Sequence, residues 1–330
     1  KTVDSIVKSG QKDLEKNKKV ELYAADEKVV VIVDVDTPSM VEKFEESNET
    51  DINDFIEENQ EVRDDIQEKV DAVSDKVVDK VEASKDVEKV EVLYSYDTVF
   101  TGVAMEVEYG QLKKNKKVEG VKNAFVAAKY EVPEGQEITS PEIGTYMLTS
   151  RELISAGLVQ HQDNLDYTGQ GMVVAVLDTG ISYRHAAFST APVNPSVTAT
   201  SMADVLANVD LMAEDSYAQA VEGGVLVADG TSANSVFKSA KVPFGYDYND
   251  NDTEITPVDS ENHGTHVSGT IAGNSDVLKG VAPDAQLMGM KVFDNNGSTS
   301  DAVLFAALQD AVLLDVDVIN MSLGSSSGFT

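Results

Sequence analysis

The apolar positions change period along the chain, and each change predicts a different kind of packing. Lys28 to Asp36 (KVVVIVDVD) is a β-branched run of strand type. Val62, Ile66, Val70, Val73, Val77 and Val81 then recur at steps of four or three, which puts one apolar stripe on a long acidic helix. The stripe lacks sustained heptads and carries Val where a coiled coil would carry Leu, so a single sandwich helix is the preferred reading. Val90, Val92, Tyr94 and Tyr96 alternate as a half-buried strand, and Gly102 opens another through Val107. Tyr109 to Lys117 reads as a short basic helix and Val121 to Val132 as the closing strand. The order strand, helix, strand, strand, helix, strand predicts a small α+β, ferredoxin-like unit over 28–132. Residues 1–27 carry no firm pattern.

Between Pro133 and Ser150 the punctuation by Gly135, Pro141 and Gly144 breaks any regular element, so 133–150 reads as a linker. From residue 171 strands alternate with helices: Met172 to Leu177, then helix His263 to Ala272, strand Ala285 to Phe293, helix Ser300 to Leu314 and strand Val316 to Met321. Such alternation predicts an α/β class with a parallel sheet flanked by helices over 151–330. Residues 189–240 interrupt the rhythm and read as an insertion, helical in ADVLANVDLMAEDS and irregular in GGVLVADGTSANS.

Composition narrows the partners. In 330 residues, 58 acidic side chains against 26 basic ones give a formal charge of -32, which repels nucleic acid and anionic membrane surfaces. The absence of cysteine removes disulfides, thiolate metal sites and Cys nucleophiles. No apolar run reaches the roughly 20 residues that span a bilayer. The chain opens at Lys1 without a positive-then-apolar leader, as expected if a signal peptide has been removed or the sequence is a fragment at this end.

Reacting groups in parallel α/β sheets gather where strands end and helices begin. Asp178 ends the strand VVAVLD and precedes Thr179-Gly180; His263 starts a helix in ENHGTHVSGTIAG. An aspartate that holds an imidazole, and an imidazole on a rigid helix start, are two of the three parts of a hydrolytic triad. Taken singly, Asp178 reads as a turn residue and His263 as a cap or core histidine. His263 and His266 stand at i, i+3 without the glutamate of a zinc HExxH motif, so no metal is assigned to them. A strand ending in Asp-Thr-Gly also fits an aspartic peptidase, but that chemistry needs a second such aspartate and an all-β fold.

VVAVLDTGI, HGTHVSGTIAG, GVAPDAQLMGMKVF and VINMSLG, in that order, resemble successive segments of the subtilisin-like serine peptidases. The resemblance implies a serine endopeptidase acting on protein or peptide substrates, in which Asp178 orients His263 and His263 is general base and then general acid. His266 matches a structural histidine. The resemblance also implies a substrate cleft walled by Ser322, Leu323 and Gly324 on one side and by Asn296, Gly297 and Ser298 on the other, with glycine allowing close backbone approach. VKNAFVAAKYEVP resembles the last strand of the family's propeptides, which assist folding and then bind in the cleft of their own protease. Maturation is accordingly expected between Glu131 and Ser150. The wide spacing from Asp178 to His263 resembles the Gram-positive cell-envelope proteinases of the lactocepin group, which implies a secreted or cell-surface location.

The sequence departs from that pattern at the nucleophile. Nothing downstream of His263 matches the Gly-Thr-Ser-Met-Ala type motif, so the serine and the oxyanion asparagine are expected beyond Thr330, and residues 1–330 alone are expected to be inert. Gly230-Thr231-Ser232-Ala233 and Ala199-Thr200-Ser201-Met202-Ala203 lie upstream, in the wrong order for the family. Asn320 lies in the strand before the cleft and is not given the oxyanion role. Asp247, Asp250 and Asp252 offer carboxylates for calcium, although as a pattern they read as a solvated acidic loop. A non-enzymatic alternative stays open: a folding-assistant and inhibitor unit attached to an inert remnant.

Overall fold

A computed structural model describes residues 23–83, 90–111, 118–132, 150–161, 167–213, 236–258, 262–276 and 278–324. The proposed linker, most of the irregular half of the insertion and Ser232 lie outside the described residues.

The first sheet is four-stranded and antiparallel, in the order β2-β3-β1-β4, built from β1 (Lys28–Val35), β2 (Glu91–Tyr96), β3 (Gly102–Glu108) and β4 (Val121–Val126). Helices α1 (Met40–Glu46), α2 (Ile52–Glu58) and α3 (Gln60–Glu82) connect β1 to β2. Ser39 and Glu42 form a reciprocal capping box on α1, and Asp51 caps α2, which explains why the chain breaks into separate helices there. The stripe on α3 is buried at Ile66, Val70, Val73, Val77 and Val81, as its spacing predicts.

Neighbouring residues Val31, Ile32 and Val33 of β1 are all fully buried, so both faces of this sheet are covered. On β2, Ser95 faces α3, accepting a hydrogen bond from Gln67 at 2.9 Å. Tyr94 and Tyr96 point the other way, donating to the carbonyls of Tyr248 and Ala302. The second face is therefore closed by the C-terminal half of the chain. The strict alternation expected from Val90 to Tyr96 fails at Val92, which is exposed, because a register shift between Val92 and Tyr94 flips the strand. Only a 3-10 turn, Tyr109–Gln111, begins the expected basic helix; 112–117 lie outside the described residues.

The second sheet is parallel, in the order β10-β6-β8-β7, and confirms the α/β class. It comprises β6 (Val173–Asp178), β7 (Phe244–Asp247), β8 (Gln286–Lys291) and β10 (Val318–Asn320), with α6 (His263–Ala272) and α7 (Asp301–Leu313) packed on it. The short helix α4 (Ala156–His161) precedes β6, and α5 (Ala199–Asn208) is the helical part of the insertion, capped by Thr198 and starting four residues before the stretch read as helical. Strand β7 was not foreseen, since Phe-Gly-Tyr-Asp is short and carries no period.

One expectation is corrected in a way that bears on the site. Val121 to Val132 is not one strand. It divides into β4 and β5 (Lys129–Glu131), and β5 leaves the first sheet to pair antiparallel with β9 (Ser298–Ser300).

Candidate active site

The carboxyl end of β6 delivers Asp178 into the interior, where its side chain is fully excluded from solvent. Its Oδ1 accepts the backbone N–H of Thr179 at 2.7 Å, and the imidazole Nδ1 of His263 lies 2.8 Å from Oδ1 and 3.0 Å from Oδ2. Because a carboxylate only accepts, the proton between the two groups sits on Nδ1, which leaves Nε2 as the ring nitrogen facing away from Asp178. The His263 side chain is 24% exposed, so the imidazole reaches the surface while its partner does not.

Local sequence explains the pairing. Gly180 has a positive φ of +104°, and a side chain there would run into the Ile255 carbonyl. A Cβ at Gly264 would lie 3.0 Å from Asp178 Cβ and 3.1 Å from its Oδ1. The Gly264 N–H also donates to Thr179 Oγ1 at 3.0 Å, and Ser182 N–H donates to Thr265 Oγ1 at 2.9 Å. The residues between and beside the dyad thus tie the first turn of α6 to the end of β6. His266 is exposed and lines a cavity of about 400 Å³ with His185, Phe188 and Leu278.

The expected cleft residues gather around β5. Lys129, Tyr130 and Glu131 pair with Ser300, Thr299 and Ser298. Val132 N–H donates to the Gly297 carbonyl at 3.0 Å, and on the other edge Glu131 N–H donates to the Gly324 carbonyl at 3.3 Å. Residues 129–132 therefore run as a strand between the two predicted walls. Ser322 accepts a hydrogen bond from Asn320, and Leu323 packs on the main core. The reason given for the glycines needs correcting: Gly297 is required by its φ of +75°, whereas a Cβ at Gly324 would meet nothing within 4 Å among the described residues.

Sequence reasoning missed Asp294 and Asp301. Asp294 Oδ1 accepts the N–H groups of Asn296 and Ser298, both at 2.8 Å, and so shapes the turn that presents Gly297. Asp301 opens α7 and bonds to Ala128 and Tyr130. An Asp-x-Asn-Gly turn and an acidic residue at a helix start are too common to stand out in one sequence.

The acidic loop is corrected in part: Asp250 and Asp252 are exposed, as expected of a solvated loop, but Asp247 is buried; it forms an ion pair with Lys291, and its Oδ1 accepts the N–H groups of Asn249 and Asp250. Burial raises its pKa first, and the bond to Lys291 pulls it back. Asp252 instead accepts from Glu254 N–H, and among the described residues no three acidic or histidine side chains converge. Ser201 sits in the first turn of α5 with its hydroxyl bonded to Thr198, occupied in a helix cap.

A family model described as the subtilase family, Peptidase S8, matches residues 169–329. The chain carries a subtilase-family peptidase domain. The subtilase assignment agrees with its relatives. The PII-type proteinase of Lacticaseibacillus paracasei is 31% identical over 245 residues, 71% of this chain and 11% of that protein. The minor extracellular protease Vpr of Bacillus subtilis is 28% identical over 253 residues, covering 73% of this chain and 25% of that protein. This chain thus spans only a small part of the curated relatives it matches. Fervidolysin from Fervidobacterium pennivorans superposes with a TM-score of 0.50 at 17% identity, covering 93% of this chain and 37% of its own, which shows a shared subtilisin-like fold. No described helix is long and apolar enough to cross a membrane.

Proposed function

We propose that this protein is the precursor of a serine endopeptidase that hydrolyses extracellular proteins through an Asp-His-Ser mechanism. The observation that carries the reading is the 2.8 Å contact between buried Asp178 and the partly exposed imidazole of His263, inside a subtilase-family region. Asp178 holds the Nδ1 proton in place and stabilises the imidazolium. Nε2 takes the proton of a serine hydroxyl as its oxygen attacks the peptide carbonyl, and then returns that proton to the departing amine. An aspartic-type mechanism is disfavoured, since Asp178 faces an imidazole where that chemistry needs a second carboxylate.

Residues 28–132 act, in this reading, as a propeptide that assists folding and blocks the cleft, 133–150 as the linker that maturation cuts, and 151–330 as the start of the peptidase domain. The support is the strand 129–132, hydrogen-bonded on both edges as an extended substrate would be. The alternative of a purely inhibitory unit predicts no hydrolysis at all. Full-length protein is assayed on a denatured protein substrate and with a serine-directed fluorophosphonate. The reading expects labelling and hydrolysis, with Asp178→Asn slowing turnover by on the order of 10⁴. Hydrolysis that survives His263→Ala unchanged would sink it.

A further inference from the structure

Arg63 is the one buried charged side chain on α3, and its own unit accounts for only part of its bonding. Its Nε donates to Asp97 Oδ2 at 2.9 Å, while Asp97 Oδ1 accepts the Thr98 hydroxyl at 2.6 Å. Its Nη2 donates to the Asp210 carbonyl, in the insertion, at 3.1 Å. That carbonyl is held from behind, because Asp310 of α7 accepts the N–H groups of Met212 at 2.7 Å and Ala213 at 3.3 Å. Ahead of α5, Gln286 of β8 accepts the Val197 N–H and donates to the Val197 carbonyl, both at 2.8 Å, so the insertion is tied to the peptidase half at two points. The facing sides are complementary in kind: the 28–132 unit presents the guanidinium and the N–H groups of Asp97 and Thr98, and the other side presents the Asp210 carbonyl and Gln309 Oε1. Arginine suits this place, since its planar fork serves two acceptors at once and stays charged. Next to these bonds lies a cavity of about 470 Å³ lined by Gln67, Leu93, Leu211 and Asn251, so few contacts carry the docking here.

We propose that residues 209–213 of the insertion are a recognition surface for the 28–132 unit, one that reads Arg63 and retains the unit on the peptidase half once the linker has been processed. This deepens the precursor reading and rests on its assignment of 28–132 as the propeptide. The segment 129–132 then has a second anchor on a different element. Two attachments on one folded unit reinforce each other, because while either holds, the other rebinds from a high effective concentration. Opening of the cleft therefore waits on the Arg63 contact as well as on the strand. A peptidase domain without this insertion offers no Asp210 carbonyl and retains the same unit less.

The test uses the whole chain with a site for an unrelated protease placed within 133–150. The folded protein is cut there, diluted into mild urea, and separation of the two pieces is timed by size-exclusion chromatography. Arg63→Gln is expected to speed separation at least about tenfold, the loss that goes with a hydrogen bond from a charged group. Because that change strands Asp97, a second variant joins Arg63→Gln to Asp97→Asn, which keeps a neutral bond inside the unit; it should separate at least about tenfold faster than the parent as well. Asp310→Asn, in the peptidase half, loosens the insertion and should also speed separation. Combined with Arg63→Gln it should add little, since both act on one contact. Separation at the parent rate in the Arg63/Asp97 double variant, or effects of Arg63→Gln and Asp310→Asn that multiply in full, overturns the recognition role. Full-length enzyme that is equally active before and after the cut, with Arg63 still slowing separation, fails the propeptide reading instead and leaves the contact standing.

Discussion

Gly264 packs against Asp178 with no room for a single methyl group, since a Cβ there would sit 3.0 Å from the aspartate's own Cβ and 2.4 Å from the Gly180 carbonyl oxygen beside it. The absence of a side chain is what lets the helix start reach the strand end and bring His263 over the carboxylate. Gly264→Ala should push α6 away, cost about 1–3 kcal/mol by overpacking and disturb the dyad. The downfield Nδ1 proton of His263, seen by NMR, checks this: an unshifted signal in the variant would show that the close approach is not what holds the imidazole.

A second prediction concerns the contact between the two sheets. Gln309, fully buried on α7, accepts with one oxygen the backbone N–H groups of both Asp97 and Thr98, each at 3.0 Å. Gln309→Leu leaves two buried donors without a partner and should lower stability by roughly 2–5 kcal/mol. Gln309→Glu, which keeps an oxygen there, should lose less. Urea unfolding of the three proteins decides it.

The ion pair of Lys291 with Asp247 is enclosed, with 7% and 2% side-chain exposure. Lys291→Met removes the cation and strands a buried carboxylate, a change that costs about 3–5 kcal/mol where one partner of such a pair is lost. Asp247→Asn in the same background should recover part of that loss. Thermal denaturation of the single and double variants would expose any failure of this coupling.

Asp310 gives a pH signature. It is fully buried, and burial raises its pKa to about 7 despite bonds from the Met212 and Ala213 N–H groups and the Tyr248 hydroxyl, and the nearby charge of Arg63. A carboxyl whose folded pKa lies above its unfolded value near 4 binds its proton more tightly when folded. Its contribution to stability is complete below pH 4 and is lost as pH rises through 7, by up to about 4 kcal/mol. The stability difference between the protein and Asp310→Asn should shrink or reverse across that window. A difference that stays constant from pH 4 to 8 would show that Asp310 does not titrate there.

Where the chain follows local periodicity, its sequence was enough to place it. The β-branched run of β1, the valine stripe of α3 and the starts of α6 and α7 all follow from spacing alone. Asp178 and His263 each stand at an element boundary, where sheet topology brings strand ends and helix starts together, but it was the ordered resemblance to the subtilisin-like motifs that singled them out. The excursion of β5 was not legible: residues 121–132 contain neither Gly nor Pro to mark a break, and only the distant Ser298–Ser300 edge decides that 129–131 leave the first sheet. Gln309 and Asp310 were equally hidden, since polar residues on a helix read as its wet face until another sheet closes over them. Val92 was misplaced because a bulge cannot be seen from alternation.

One apolar cluster runs without a break from Val29 and Val103 of the first sheet to Phe293, Leu304 and Leu314 of the second half. None of the described members of that cluster lies between Val132 and Ser150, so a break in the backbone there would leave them in place. Two severed pieces would remain a single complex, held by surface neither can bury alone, and cutting and letting go would be separate events with separate rates.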